Sequence, residues 1–125
     1  MNTLFRTPAF TTLQGEMLEN TPQLTRIRFP VDVAWFDAFG ELQSGICSAM
    51  FDVTIDACIA AHSVSRRFST LESSVRYFRT IHKGHLIFDA TILRAGHALI
   101  TVEAIAWDMA NELCAKATAT KLLIS

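Results

Sequence analysis

Residues 43–61, with the sequence QSGICSAMFDVTIDACIAA, are mostly small or apolar and carry only two charged side chains, Asp52 and Asp56. Ser44 is suited to cap a helix and the run ends near His62, so the stretch predicts one long buried helix. In a helix, the four-residue spacing of the acids stacks them on one face. Because desolvating a carboxylate is costly, acids in such surroundings are usually paired, hydrogen-bonded or used in chemistry.

The composition is that of one apolar domain. The chain has 125 residues, of which 50% are hydrophobic and 18% are charged, and we expect a single domain over residues 1–125. So apolar a chain predicts further surface buried in a homo-oligomer, a dimer or a dimer of dimers. The net charge of −1 gives no electrostatic support for a nucleic-acid partner.

The cysteines and the amino-terminal residues bear on the cellular compartment of the protein. Cys47, Cys58 and Cys114 are odd in number and lie in apolar segments, which favours buried free thiols over disulfides or metal ligands. Residues 1–10 contain no apolar core of signal-peptide length. The run 46–61 carries two acids and is shorter than a membrane span. We therefore expect a cytoplasmic protein without a membrane partner.

Strand patterns lie on both sides of the predicted helix. The predicted strands are 11–19, 23–29, 69–79, 85–94, 98–107 and 113–124. Asn20-Thr21-Pro22 forms a turn between the first two, and Asn111 is suited to a left-handed position in the last hairpin. A helix without a polar face would expose apolar surface outside a sheet. We therefore predict an α+β fold in which a curved antiparallel sheet wraps around one long central helix and a partner covers it.

Four features along about residues 11–123 resemble the hotdog-fold acyl-CoA thioesterases of the phenylacetate-degradation type, which are related to 4-hydroxybenzoyl-CoA thioesterases. They are Gly40 followed by Gln43-Ser44-Gly45, where the family usually has His-Gly-Gly; Asp52, seven residues beyond the last glycine; the strand end 77–84 (YFRTIHKG); and the hairpin Gly96 with the Ala-rich strand 114–120. The resemblance implies a hotdog domain, a homodimer or homotetramer, and hydrolysis of an acyl-CoA to the free acid and CoA without a cofactor.

The resemblance also implies roles for individual residues. Asp52 would act as nucleophile or as general base on water. The backbone amides of Ser44 and Gly45 would bind the oxyanion at the helix N-terminus of the other subunit. Thr70 aligns with a Ser or Thr that orients the water. The alternatives are a hydrogen-bonded interface acid at Asp52 and an ordinary β-branched strand residue at Thr70.

Three residues depart from the family pattern. Gln43 stands where His is common, and it can donate and accept hydrogen bonds but cannot become cationic. Asp37 falls where Asn or Gln often contacts the carbonyl or the water, and Asp56 where Ser or Thr is common; the alternatives are a loop acid and a helix-packing acid. Three nearby carboxylates require that one is protonated, that Arg66, Arg67 or another cation pairs with them, or that the chemistry has changed.

Basic residues are candidates for the CoA phosphates, with solvated surface charge as the alternative. They are Arg66, Arg67, Lys83, Arg94 and His97. His82 and His85 lack acid or cysteine partners nearby, so no metal site is predicted.

Other functions remain to be weighed against thioester hydrolysis. Hydratases of this fold carry a His five residues after the Asp, but Ala57 and Ala61 stand at those offsets from Asp52 and Asp56, which argues against hydration. A non-catalytic protein that binds an acyl-CoA or acyl group stays open as the second hypothesis, and a purely structural dimer as the third.

Overall fold

The computed structural model describes residues 7–63 and 67–124, and within them six antiparallel strands form one sheet. The elements are α1 (Pro8–Thr12), β1 (Glu16–Asn20), β2 (Thr25–Pro30), a 3-10 turn (Val33–Trp35), α2 (Ser44–His62), β3 (Arg67–Tyr77), β4 (His85–Ala95), β5 (Leu99–Trp107) and β6 (Leu113–Ile124). The strand order is β1-β2-β4-β5-β6-β3. The predicted α+β arrangement, a curved antiparallel sheet with one long helix, is confirmed.

The amino-terminal segment differs from its prediction. The first half of the predicted strand 11–19 is wrong, because Pro8–Thr12 is helical and β1 begins only at Glu16. Thr7 caps α1 by accepting a hydrogen bond from the Phe10 amide at 3.2 Å, and a proline in the first turn favours the helix. The left-handed Asn111, with φ of 61°, is confirmed.

Helix α2 packs its apolar side chains onto the sheet. Phe51 contacts Phe88 of β4 edge-on, with ring centroids 4.7 Å apart, and Phe88 contacts Phe29 of β2 in the same way at 5.4 Å. Alanines line the buried sides of the central strands: Ala90, Ala104, Ala106, Ala115, Ala117 and Ala119. Because these side chains are small, the strands can approach the bulky helix residues closely.

One face of α2 is more polar than predicted. Ser44, Ser48, Asp52 and Asp56 follow one another at four-residue spacing, and none of them is buried. This narrow stripe corrects the expectation of a helix without a polar face. The expectation that the segment is too short to span a membrane is also wrong, since α2 has 19 residues and a mean hydropathy of 1.4, enough by length and composition. Its buried residues nevertheless form part of the core against the sheet.

The three cysteines are free and buried, as predicted. Burial disfavours the thiolate, and it raises the pKa of Cys47 to about 12 and that of Cys58 to about 11. The pKa of Cys114 is raised for the same reason. Thiols in this state are poor nucleophiles at neutral pH.

Candidate active site

A buried lysine lies beneath the two acids of α2. The Nζ of Lys121 on β6 donates a hydrogen bond to Asp52 Oδ1 at 3.1 Å and lies 2.9 Å from Asp56 Oδ1. The side chain of Lys121 is only 2% exposed, whereas that of Asp52 is 58% exposed. The arrangement therefore presents a carboxylate to solvent and keeps its cationic partner inside.

Asp56 differs from Asp52 in its surroundings. Burial raises the pKa of Asp56, the ammonium of Lys121 opposes this rise, and the neighbouring Asp52 adds to it. Although Asp56 Oδ1 lies close to Nζ, it does not meet hydrogen-bond geometry, so the contact is an ion pair. Lys121 is the cation that the acid cluster required, a role for which Arg66 and Arg67 had been considered.

Thr70 joins the same cluster from β3. It lies directly opposite Lys121 in the register of β3 and β6, and its Oγ1 accepts a hydrogen bond from Nζ at 2.5 Å. The register shifts between Thr70 and Glu72, as at a bulge, a feature that re-aims side chains. Asp52 and Thr70 were both predicted for the site. They are brought together by Lys121, which was not predicted.

The sequence does contain a signal for Lys121. Strand β6 alternates, and its buried positions include Ala115, Ala117, Ala119 and Leu123. Lys121 falls in this phase. Because a charged side chain on a buried strand face must be paired, the alternation predicts a carboxylate partner. It does not predict which one.

The amino end of α2 forms a separate region. Gln43, Ser44 and Gly45 are exposed, and the predicted Ser44 cap is wrong, because Gln43 occupies the cap position without a side-chain cap bond. The first-turn amides of a helix have no acceptor within the helix. A Cβ added at Gly45 would meet nothing within 4 Å, so the space in front of this turn is open.

Tyr77 fastens this turn to β3. Its hydroxyl donates to the carbonyl oxygen of Ser44 at 2.8 Å and lies 2.5 Å from Ser48 Oγ. Burial raises the pKa of Tyr77, which keeps the phenol protonated as a donor. The sequence contains Tyr77 only as part of an aromatic strand end, so this contact was not predicted.

Asp37 organises the loop before the helix. Its Oδ1 accepts hydrogen bonds from the amides of Phe39 at 2.8 Å and Glu41 at 3.1 Å, and Gly40 between them has φ of 78°. These contacts agree with the alternative of a loop acid. Asp37 also lines a pocket of about 180 Å³ together with Gln43, Ser44, Cys47, Tyr77 and Arg79.

The two regions do not meet within one chain. Asp52 lies eight positions after Ser44, and with a rise of about 1.5 Å per residue the two lie about 12 Å apart along α2. A thioester carbonyl at the Ser44 amide would therefore be out of reach of Asp52 in the same subunit.

Comparisons with known proteins identify the family. The sequence model of the thioesterase superfamily matches residues 39–115, more than half of the chain. The chain belongs to the thioesterase superfamily. Thioester hydrolysis is accordingly its class of reaction, and the predicted resemblance is confirmed. No match was found among curated protein sequences.

Solved structures with the hotdog architecture are similar to this thioesterase. A phenylacetic acid degradation-related protein from Ralstonia eutropha is 25% identical, with a TM-score of 0.82 and 96% of each chain covered. A thioesterase from Haemophilus influenzae is 19% identical, with a TM-score of 0.89 over 99% of this chain and 87% of that one. A hypothetical thioesterase from Streptococcus pneumoniae, solved with coenzyme A, is 15% identical, with a TM-score of 0.89 over 97% and 94%. The predicted hotdog fold is confirmed.

The basic residues of this thioesterase lie at two ends of its sheet. Arg67 begins β3 opposite Ile124, and Arg94 and His97 lie where β4 turns into β5. Lys83 precedes β4, and the length of that strand, at about 3.3 Å per residue, separates it from Arg94 by roughly 30 Å. Arg66 lies outside the described residues. Among the described candidates, Lys83 therefore lies far from Arg94 within one chain.

Proposed function

We propose that this thioesterase hydrolyses acyl-CoA in a homodimer, where Asp52 of one subunit acts on a thioester held at the amino end of α2 of the other. The observation that carries the proposal is the exposed carboxylate of Asp52 on the narrow polar stripe of α2, a helix that has open space beside Gly45 in its first turn. The coenzyme A present with the similar Streptococcus pneumoniae protein supports CoA as the carrier.

The edge of the sheet supports a dimer. Strand β3 is at the end of the strand order, and all of its residues except Phe68 and Val75 are exposed. An exposed edge strand of this length invites pairing with another strand. A second copy that covers β3, with its exposed Leu71 and Tyr77, would bring a second α2 near the first. The dimer could in turn form a dimer of dimers.

The proposed reaction uses the carboxylate of Asp52 as a base and the backbone amides of α2 as oxyanion donors. Asp52 takes a proton from water, and the water oxygen bonds to the thioester carbonyl carbon. The carbonyl oxygen becomes an oxyanion, which accepts hydrogen bonds from the amides of Ser44 and Gly45 and is favoured by the helix dipole. The carbon–sulfur bond then breaks, and the proton held by Asp52 passes to the CoA sulfur. Free acid and CoA result, and no cofactor is needed.

Other parts of the proposal concern neighbouring residues and location. Gln43, beside the oxyanion amides, would donate a hydrogen bond to the substrate, and Thr70 would orient the water. Arg67, Lys83, Arg94 and His97 would meet the CoA phosphates from two subunits rather than from one. Three buried free thiols suit the proposed cytoplasmic location.

The substitution Asp52→Asn tests the proposal. With short, long and aromatic acyl-CoAs and a thiol-reactive dye to detect released CoA, we expect kcat to fall by about 10²–10⁴-fold, the contribution of a general base. The matched control is Asp89→Asn, since Asp89 pairs with Arg26 on the strand face opposite the core, and it should keep the wild-type rate.

Three outcomes would contradict the proposal in different ways. Full activity of the Asp52→Asn variant would exclude the proposed base. Absence of turnover, together with a higher melting temperature in the presence of acyl-CoA, would favour the alternative of a non-catalytic acyl-CoA-binding protein. Absence of both would favour a structural dimer.

A further inference from the structure

We propose that Lys121 is a positioning residue for hydrolysis: its buried ammonium holds the Asp52 carboxylate and the Thr70 hydroxyl in fixed relative positions. The inference rests on the proposed function, because it assigns a cause to the placement of the proposed base. It adds Lys121 to the site residues that were predicted from the sequence and the family resemblance.

The first argument is the geometry of the ammonium. A lysine has three N–H donors and no acceptor, and Nζ of Lys121 lies within 3.1 Å of oxygens from Asp52, Asp56 and Thr70. These oxygens belong to two elements, α2 and β3, which the main-chain pairing of the sheet does not connect. One side chain from a third element, β6, therefore ties the helix acid to the edge strand.

The second argument is the difference in exposure between the two acids. One ammonium balances one carboxylate, and the less exposed Asp56, 31% exposed against 58% for Asp52, is suited to that task. Asp52 is then left with a hydrogen bond that fixes one oxygen, while more than half of its side chain is exposed. A carboxylate held at one oxygen and open at the other can accept a proton from water.

The third argument concerns Thr70. Because its Oγ1 accepts a hydrogen bond from Lys121, the hydroxyl proton is free to be donated elsewhere. Lys121 thus sets the hydroxyl as a donor, the state in which it can hold the oxygen of a water molecule beside Asp52. A methyl or methylene group in place of Nζ would leave the hydroxyl without this constraint.

The structural alternative is that Lys121 serves only to neutralise Asp56 within the fold. The two explanations are separated by the double variant Lys121→Met/Asp56→Leu. It removes both buried charges and replaces them with apolar side chains, a change that is often neutral or stabilising. The single variant Lys121→Met leaves Asp56 unpaired and is expected to be less stable. Lys116→Met is the matched control, since Lys116 lies on the same strand but is exposed.

We expect the double variant to melt near the wild-type temperature while its kcat falls on the order of 10²-fold, the effect of misplacing a reacting group. Its KM for acyl-CoA should change little, because the side chain of Lys121 is buried. Lys116→Met should keep both constants.

A double variant with wild-type stability and wild-type kcat would overturn the inference and leave the proposed role of Asp52 intact. A rise in KM with kcat unchanged would overturn it as well, since it would indicate loss of binding rather than of positioning. If the wild-type chain itself hydrolyses no acyl-CoA, the proposed function fails first, and the inference fails with it.

Discussion

The two regions of α2 that form the candidate site are built in different ways. At the amino end, residues 43–45 offer backbone amides, and their side chains are exposed. At the centre, Asp52 and Asp56 depend on the buried side chain of Lys121. The first region tolerates exchange of side chains, since backbone donors remain when a residue is replaced. The second region depends on the identity of each side chain.

This difference explains why Ser44 can stand where the family has glycine. Its amide is unchanged by the hydroxymethyl group, and its carbonyl is held by Tyr77. By contrast, exchange of Lys121 in the central cluster leaves Asp52 and Asp56 without their cation. A departure from the family pattern is therefore tolerated at the amino end of α2, where the backbone supplies the donors, whereas exchange of Lys121 alone is not.

The largest expected effect comes from separating the two regions onto different subunits. Asp52→Asn and Ser44→Pro chains should each be nearly inactive alone. Heterodimers purified with two different tags contain one site with both intact parts, so they should recover about half of the wild-type kcat per dimer, as two-fold symmetry requires.

The control for this experiment is a heterodimer of two differently tagged Asp52→Asn chains, which should stay inactive. Failure of the mixed heterodimer to recover activity, with both chains present and folded, would mean that the two regions do not act across an interface.

A smaller effect is expected when only the amino end is altered. Ser44→Pro removes one amide donor while the first helical position accepts proline, and Gln43 before it is extended, with ψ of 130°, as a residue before proline prefers. We expect kcat to fall by about 10²–10³-fold, the loss of one oxyanion donor. Ser44→Ala keeps the amide and should retain kcat within a few-fold; equal losses in steady-state kinetics would assign the role to the side chain instead.

The smallest expected effect is on the free energy of unfolding at high pH. It allows a comparison of Cys47, near the amino end of α2, with Cys58, near its carboxyl end. The pKa of Cys47 is raised from 9.0 to about 12 and that of Cys58 to about 11. Above pH 9 the unfolded chain loses these protons while the folded chain keeps them, so the free energy of unfolding falls as pH rises. The stabilisation is fully present below pH 9.

Urea unfolding under reducing conditions, from neutral pH to about pH 11, measures this decline. Cys47→Ala should flatten it more than Cys58→Ala, because its pKa is raised further. A decline that is the same in both variants and in the wild type would assign the pH dependence to other groups.

Local sequence patterns predicted most of the helices and strands but not the first helix, α1. The long apolar run predicted α2, and period-two alternation over residues 69–79 predicted β3, because each pattern is repeated along a single element. Residues 11 and 12 were assigned to a strand, although Thr7 and Pro8 carry a helix-start signal and these residues lie in α1. Ser44 was expected as the cap, but the loop held by Asp37 moves the cap to Gln43.

The sequence by itself determined the apolar central helix and the antiparallel strands around it, because such patterns are properties of short segments, and its resemblance to the family pointed to Asp52 as the candidate base. Only the tertiary structure decided what holds that base. Lys121 lies 69 residues from Asp52 along the chain and 51 from Thr70, and the β3–β6 register brings them together. Contacts between distant segments depend on how whole elements pack, which no local pattern specifies.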